Sequence, residues 1–245
     1  MNLKLSFCCL IFSLTLSYPV ISQEQKDQSE TELLSLYFDN IFGGDERLIS
    51  GHIYYGPMKG SIQGHPYYFD DTWKNGIIVT PTEKFEDLQV KYDITINQVI
   101  LKYTTTDYAV YQIGLNSGNI INLKMAGSEF IPLPGTGGST DIPFAEVISE
   151  GPVMYLVTKA KILDITSSTG SADYEYKEYL RQYLYYDGIL KSFRSKKSVY
   201  KTFPELKKQL KKYVRQNNLY LIRNRIGERK KMIDYCNTLL TDNHE

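Results

Sequence analysis

Imidazole is scarce in this chain. Its 245 residues hold three histidines, His52, His65 and His244, and no two stand at the spacing by which a helix or a hairpin brings two ligands to one ion. A histidine-ligated metal centre therefore has no sequence basis, and neither a metal nor a cofactor is expected. Cysteine is equally rare: Cys8 and Cys9 lie in the first stretch of the chain and Cys236 stands alone, so once that stretch is removed no intramolecular disulfide can form. No G-x-S-x-G elbow is present to argue a serine hydrolase. Asp70-Asp71 lacks the Asp-x-Asp-x-Gly frame of a calcium loop and reads as turn or capping chemistry. The longest apolar run, Leu5–Leu16, falls short of the roughly 20 residues of a membrane-spanning helix.

Tyrosine is abundant, 21 against 10 Phe and a single Trp, Trp73. Tyrosine suits half-exposed β-surfaces, where the ring packs and the hydroxyl stays wet. The clearest strand signal surrounds that Trp. Leu88, Val90 and Tyr92 alternate with Asp87, Gln89 and Lys91, the period of a strand with one buried face. The next apolar set, Val99, Leu101 and Tyr103, falls on the opposite parity, so a turn near Asn97-Gln98 is expected between strands at 85–96 and 98–104. Further strands are expected at 52–55, 76–80, 108–114, 118–125, 144–149, 153–165, 174–186 and 189–193. The Pro- and Gly-rich stretch 131–142 reads as a loop. Its PLPGTGGST run lacks the Lys-Ser/Thr ending and following helix of a phosphate-cradling turn. The fold class is mainly β (α+β): about nine strands in an antiparallel curved sheet, half-barrel or sandwich.

Met1–Ser22 has the form of an export signal. Lys4 precedes the apolar run, and Val20-Ile21-Ser22 supplies a cleavage site that leaves Gln23 as the new terminus. Export implies a periplasmic, extracellular or cell-surface location, where nucleic acid is not an expected partner. Cys8 follows Phe7 at the start of the apolar core, which does not fit a lipoprotein signal. Residues 23–196 form the expected β-rich body. Within it Ser29-Glu30-Thr31-Glu32 matches a capping box that opens a short helix over 30–42.

One resemblance is carried by residues 45–104. Gly51 to Tyr55, Gly64-His65-Pro66-Tyr67-Tyr68, Trp73, Gly76, Phe85-Glu86-Asp87-Leu88 and Lys91-Tyr92-Asp93 resemble a group of exported bacteroidete proteins with the pattern G-x-x-Y … G-x-P-Y-F … W/F-x-x-G-x-V-x-Y-x-G-x-x-Y-x-D-V-x-L-x-Y-D. Thr80 to Phe85 departs from the Tyr-x-Gly-x-x-Tyr hairpin of that pattern. The resemblance implies a β-rich exported body and no particular activity.

The last fifty residues, 197–245, change period and charge. Phe203, Leu206, Leu210, Tyr213 and Val214 recur at helical spacing, and so do Met232, Ile233, Cys236, Leu239 and Leu240. Two amphipathic helices packed on the body are expected, at about 202–216 and 228–240. The Lys-rich tail with its closing Tyr235-Cys236-Asn237 also resembles the endings of the same exported group. Lys191 to Lys231 holds 15 Lys and Arg against Glu205 and Glu228, a net +13 balanced by −13 elsewhere, since the chain has 28 residues of each sign. Lys207, Lys208, Lys211, Lys212 and Arg215 fall on the polar face of the first helix and are the candidates for contact with an anionic surface.

The candidate ligand-binding residues of the body are His65, Tyr67, Asp70 and Trp73. The tyrosine ladder Tyr174, Tyr176, Tyr179, Tyr183, Tyr185 and Tyr186 reads as the two faces of a curved sheet. With no catalytic constellation, the function expected is non-enzymatic: an exported envelope or surface protein in a binding or structural role, with an envelope protein or anionic envelope component as partner. The alternatives are a carrier that holds a lipid or other apolar ligand in the concavity of its sheet and, third, an enzyme of unknown class whose cleft would gather His65, Asp70 or Asp71 with other polar groups.

Overall fold

The computed structural model describes residues 51–57, 62–104, 109–136, 142–165 and 174–242. The export segment 1–22, the helix expected over 30–42 and His244 lie outside the described residues. The protein is mainly β. Among the described residues twelve strands form one open sheet: β1 His52–Ile53, β2 Ile62–Gln63, β3 Lys74–Val79, β4 Lys84–Asp93, β5 Gln98–Thr104, β6 Val110–Gly114, β7 Asn122–Met125, β8 Ser128–Pro132, β9 Phe144–Ser149, β10 Met154–Ile165, β11 Tyr174–Tyr186 and β12 Ile189–Ser192. Their order is β1-β6-β5-β4-β3-β7-β8-β9-β10-β11-β12, antiparallel throughout, with β2 added in parallel to the start of β11.

Twelve strands stand where about nine are expected, for identifiable reasons. β1 is a two-residue part of the strand expected at 52–55, and β2, also two residues long, is too short to show an alternation. β8 was concealed by Pro132, which ends the strand opposite Phe144, a position where a missing N–H is tolerated. Residues 118–121 are not strand: Ser117–Asn119 forms a 3₁₀ turn whose entry is capped by the Asn116 side chain. β4 stops at Asp93, and the parity change is taken up in the turn before Gln98, where Asn97 has φ +54°. A bulge between β3 and β4 is accompanied by φ +56° at Asp87. Gly76 lies beside it, where any Cβ would collide with Val90 Cγ2.

The sheet curls on itself. β4 and β9 are separated by three strands in the sheet order, yet the Phe144 N–H donates to the Tyr92 hydroxyl at 2.9 Å and the Tyr68 hydroxyl donates to Glu146 at 2.6 Å. The Lys161 N–H of β10 likewise reaches Ile94 O at 3.3 Å. The concave side between them is filled by Tyr68, Ile78, Tyr92, Leu123, Phe130 and Phe144, all buried. Their rings meet edge to face, Tyr68 with Phe130 at 4.9 Å and Tyr92 with Phe144 at 5.7 Å, the arrangement favoured by the aromatic quadrupole.

Three helices follow, where two were expected: α1 Lys196–Thr202, α2 Lys207–Gln216 and α3 Ile226–Asp242. The break is caused by Pro204. A residue before proline is driven out of the helical region, and Phe203 has φ −126° and ψ 72°, so α1 ends there and α2 starts only after a turn in which Lys207 N–H donates to Pro204 O at 3.3 Å. Phe203, Leu206, Leu210, Val214, Met232, Ile233, Cys236 and Leu240 pack with Val153, Tyr155, Val157 and Leu184 of the β10–β11 region in a second buried cluster.

Two polar fastenings join helix to sheet. Asn237 of α3 accepts from Val153 N–H at 2.8 Å and donates to Glu150 O at 2.9 Å and Val153 O at 3.0 Å. Arg229, 1% exposed, donates to Gln182 Oε1, Phe193 O, Arg194 O, Leu221 O and Ile222 O. Its five neutral acceptors match the five N–H donors of a guanidinium. Burial lowers its pKa.

Candidate functional site

The four body residues singled out in the sequence lie on the segment that leaves β2 and turns into β3. Ile94 N–H donates to Pro66 O at 3.1 Å and Tyr68 N–H to Tyr92 O at 2.9 Å, so residues 66–68 run beside the end of β4 with Tyr67 opposite Asp93. Alternation along β4 then decides the chemistry. Val90 and Tyr92 enter the concave core, which places Lys91 and Asp93 on the opposite face, where Tyr54, Tyr67 and Trp73 gather over Ile100.

Lys91 is 7% exposed. Its ammonium lies 4.3 Å from the centre of the Tyr67 ring and 4.7 Å from that of Trp73, pairs with the Asp71 carboxylate and donates to Asp71 O at 3.2 Å. Cation–π contact and an ion pair together replace the water that the charge has lost. Asp93 accepts from the Tyr54 hydroxyl at 2.7 Å, and from Thr95 N–H and Oγ1 at 2.8 and 2.6 Å. Burial, and then the neighbouring carboxylate, pushes the Tyr54 hydroxyl far above the ordinary tyrosine range.

A second lysine closes the segment from the far side. Lys161, 9% exposed, donates to Tyr67 O at 2.7 Å and His65 O at 2.9 Å, with His65 Nδ1 at 3.4 Å. Burial lowers its pKa. His65 Nδ1 also accepts from Tyr67 N–H at 3.2 Å. Burial first and the Lys161 charge second hold the imidazole below its ordinary pKa, which keeps it neutral at pH 7.

The structure thus brings His65, Tyr67 and Trp73 together and leaves Asp70 outside. Asp70 is exposed and bonds Thr72 and Lys74, while its neighbour Asp71 reaches the lysine. Lys91, Lys161, Asp93 and Tyr54 were not singled out in the sequence. The one signal available was a charged residue at alternate positions of a strand whose other face is wholly apolar. The seam between residues 67–74 and β4 is too tight for a water-sized body, and Lys91 and Lys161 direct their ammonium groups to the chain itself. The geometry is that of a fastening.

Other chemistry is equally enclosed or dispersed. Cys236 is buried and its thiol is pushed up to about 12, by burial and then by the charge of Glu205, so it is not a thiolate nucleophile. Among the described residues no group of three or more His, Cys, Asp or Glu is placed to hold a metal ion, and no helix is long and apolar enough to cross a membrane. The tyrosines of β11 divide between faces: Tyr183 and Tyr185 pack with Leu156, and Tyr186 meets Phe203. On α2, Lys207, Lys208, Lys211, Lys212 and Arg215 are all exposed, and Tyr213, half-buried, stacks on Tyr235 at 4.0 Å.

No family model, no curated protein and no solved structure matches this chain.

Proposed function

We propose that this is an exported protein of the envelope or cell surface that acts by binding or structural support and catalyses no reaction. The observation that supports it is the use made of charge. In the chemically richest cluster, His65, Lys91 and Lys161 are engaged in holding residues 65–74 to the sheet and Asp93 holds Tyr54. The cations left without a carboxylate partner among the described residues include Lys207, Lys208, Lys211, Lys212 and Arg215, all facing solvent. A lysine near an anionic surface contributes about 1 kcal/mol before salt screening, and five support weak, reversible adhesion to an anionic envelope component. The apolar stripe of α2 is covered by the protein's own core and is not free to insert in lipid. A carrier role would need an open apolar concavity, and among the described residues the concave side is filled by aromatic rings.

Vesicle flotation tests the adhesion. The protein is expected to rise with vesicles containing phosphatidylglycerol at low salt and to be released at moderate salt. Absence of binding at low salt would remove the reading, and binding that survives high salt would replace it with membrane insertion. N-terminal sequencing of protein recovered outside the cytoplasm is expected to begin at Gln23.

A further inference from the structure

Charge is not spread evenly over the helical tail. α1 and α2, with the chain that follows α2, enclose an open groove of about 440 Å³ whose walls include Lys196, Tyr200, Lys211, Arg215, Asn218 and Tyr220. Lys196 and Tyr200 are one helical turn apart on α1, and Lys211 and Arg215 one turn apart on α2, so each pair shares a helix face and both line the same space. The Lys211 ammonium lies 6.0 Å from the centre of the Tyr200 ring.

The groove gathers three cations and no carboxylate. Elsewhere in the tail Arg225 is matched by Glu228 and Lys230 by Asp234, while Lys207, Lys208 and Lys212 are exposed and line no pocket wall with a second helix. Among the described residues Lys196, Lys211 and Arg215 have no such partner. Glu228, the carboxylate bonded to the groove wall, has both oxygens engaged, one by Arg225 and one by the Tyr220 N–H. Like charges held together without a counter-charge repel, and an anion placed among them relieves that repulsion.

What adjoins the groove indicates where the anion comes from. Tyr220 is 65% exposed and Ile222 59% exposed, two large side chains on the connection between α2 and α3, with Arg225 lying 5.5 Å from the Tyr220 ring centre. A free phosphate needs only the cations. An exposed tyrosine in the wall of a cationic groove, with an exposed isoleucine two residues further along the chain, suits a ligand that arrives with an apolar interface, since a tyrosine ring is stable at headgroup depth. We infer that the groove of Lys196, Lys211 and Arg215 binds the phosphate of an anionic phospholipid headgroup, with Tyr220 and Ile222 resting at the membrane surface beside it. The inference rests on the adhesion reading above and gives it a specific site.

The test compares two triple variants of the full chain that lose the same charge: K196Q/K211Q/R215Q inside the groove and K207Q/K208Q/K212Q on the neighbouring face. All six side chains are exposed, and circular dichroism of both variants checks that the fold is kept. In flotation with phosphatidylglycerol vesicles, the groove variant is expected to lose about tenfold more binding than the face variant, as charge-assisted contacts exceed diffuse attraction. Equal losses overturn the groove and leave general adhesion standing. Failure of the unaltered protein to bind at low salt overturns both. Release from vesicles by millimolar inorganic phosphate, beyond that given by chloride at equal ionic strength, assigns the groove to a free anion and overturns the lipid.

Discussion

The Tyr92 hydroxyl accepts the Phe144 backbone N–H at 2.9 Å, across 52 residues of sequence and three intervening strands. Tyr92 itself is fully buried and packs its ring against the Phe144 ring. One oxygen atom thus ties β4 to β9, and with the Tyr68–Glu146 and Lys161–Ile94 bonds it holds the curl of the sheet. Replacing Tyr92 by Phe keeps the ring and strands a buried N–H, which costs about 1–3 kcal/mol. Urea denaturation of Y92F should show a lower midpoint with an unchanged slope; an unchanged midpoint means the curl does not depend on this bond.

Lys91 is expected to matter for its bulk more than for its charge. A buried cation offsets its desolvation through the Tyr67 and Trp73 rings and Asp71, so an apolar chain of similar length loses little. Lys91→Met should lie within about 1 kcal/mol of the native stability, whereas Lys91→Ala, which leaves a cavity under both rings, should cost about 2–4 kcal/mol. Thermal melts of the two variants are the measurement: equal losses in both would mean that the charge and not the bulk of Lys91 is what the seam needs.

Arg229 cannot be replaced as gently. Five carbonyl-type acceptors converge on it, and removing the guanidinium leaves them facing an apolar chain. Arg229→Met should destabilise by about 3–5 kcal/mol, and Arg229→Lys should recover only part of that because an ammonium has three donors and no fork. Denaturant midpoints of both variants are the measurement.

His65 makes stability depend on pH in a defined sense. Its folded pKa is lowered by burial and by Lys161, so below the ordinary value of about 6.5 the unfolded chain binds a proton that the folded chain resists. Stability therefore rises with pH through the interval between the lowered folded value and about 6.5, and is fully present above it. Unfolding midpoints measured at intervals from about pH 5 to 7 should climb in the native protein and climb less in His65→Gln. Equal slopes in the two would remove His65 from the fastening.

The sequence by itself determined the class of the fold and the faces of its elements. Alternation along Leu88, Val90 and Tyr92 requires a strand with one buried side, and the spacing of Leu206, Leu210 and Val214 requires a helix with one, because these periods follow from backbone geometry alone. It also placed His65, Tyr67 and Trp73 in one segment. What only the tertiary structure decided is what meets what at long range. Whether Asp70 or Asp71 reaches Lys91, that Lys161 from 94 residues away caps Tyr67, that Tyr92 meets Phe144, and that Lys196 joins Lys211 and Arg215 around one groove all depend on how far the sheet curls and how the helices lie on it. Local periodicity fixes the direction a side chain takes from its own backbone. The partner waiting there is set by the packing of residues the period cannot see, which is why the face of Lys91 was legible and its aromatic neighbours were not.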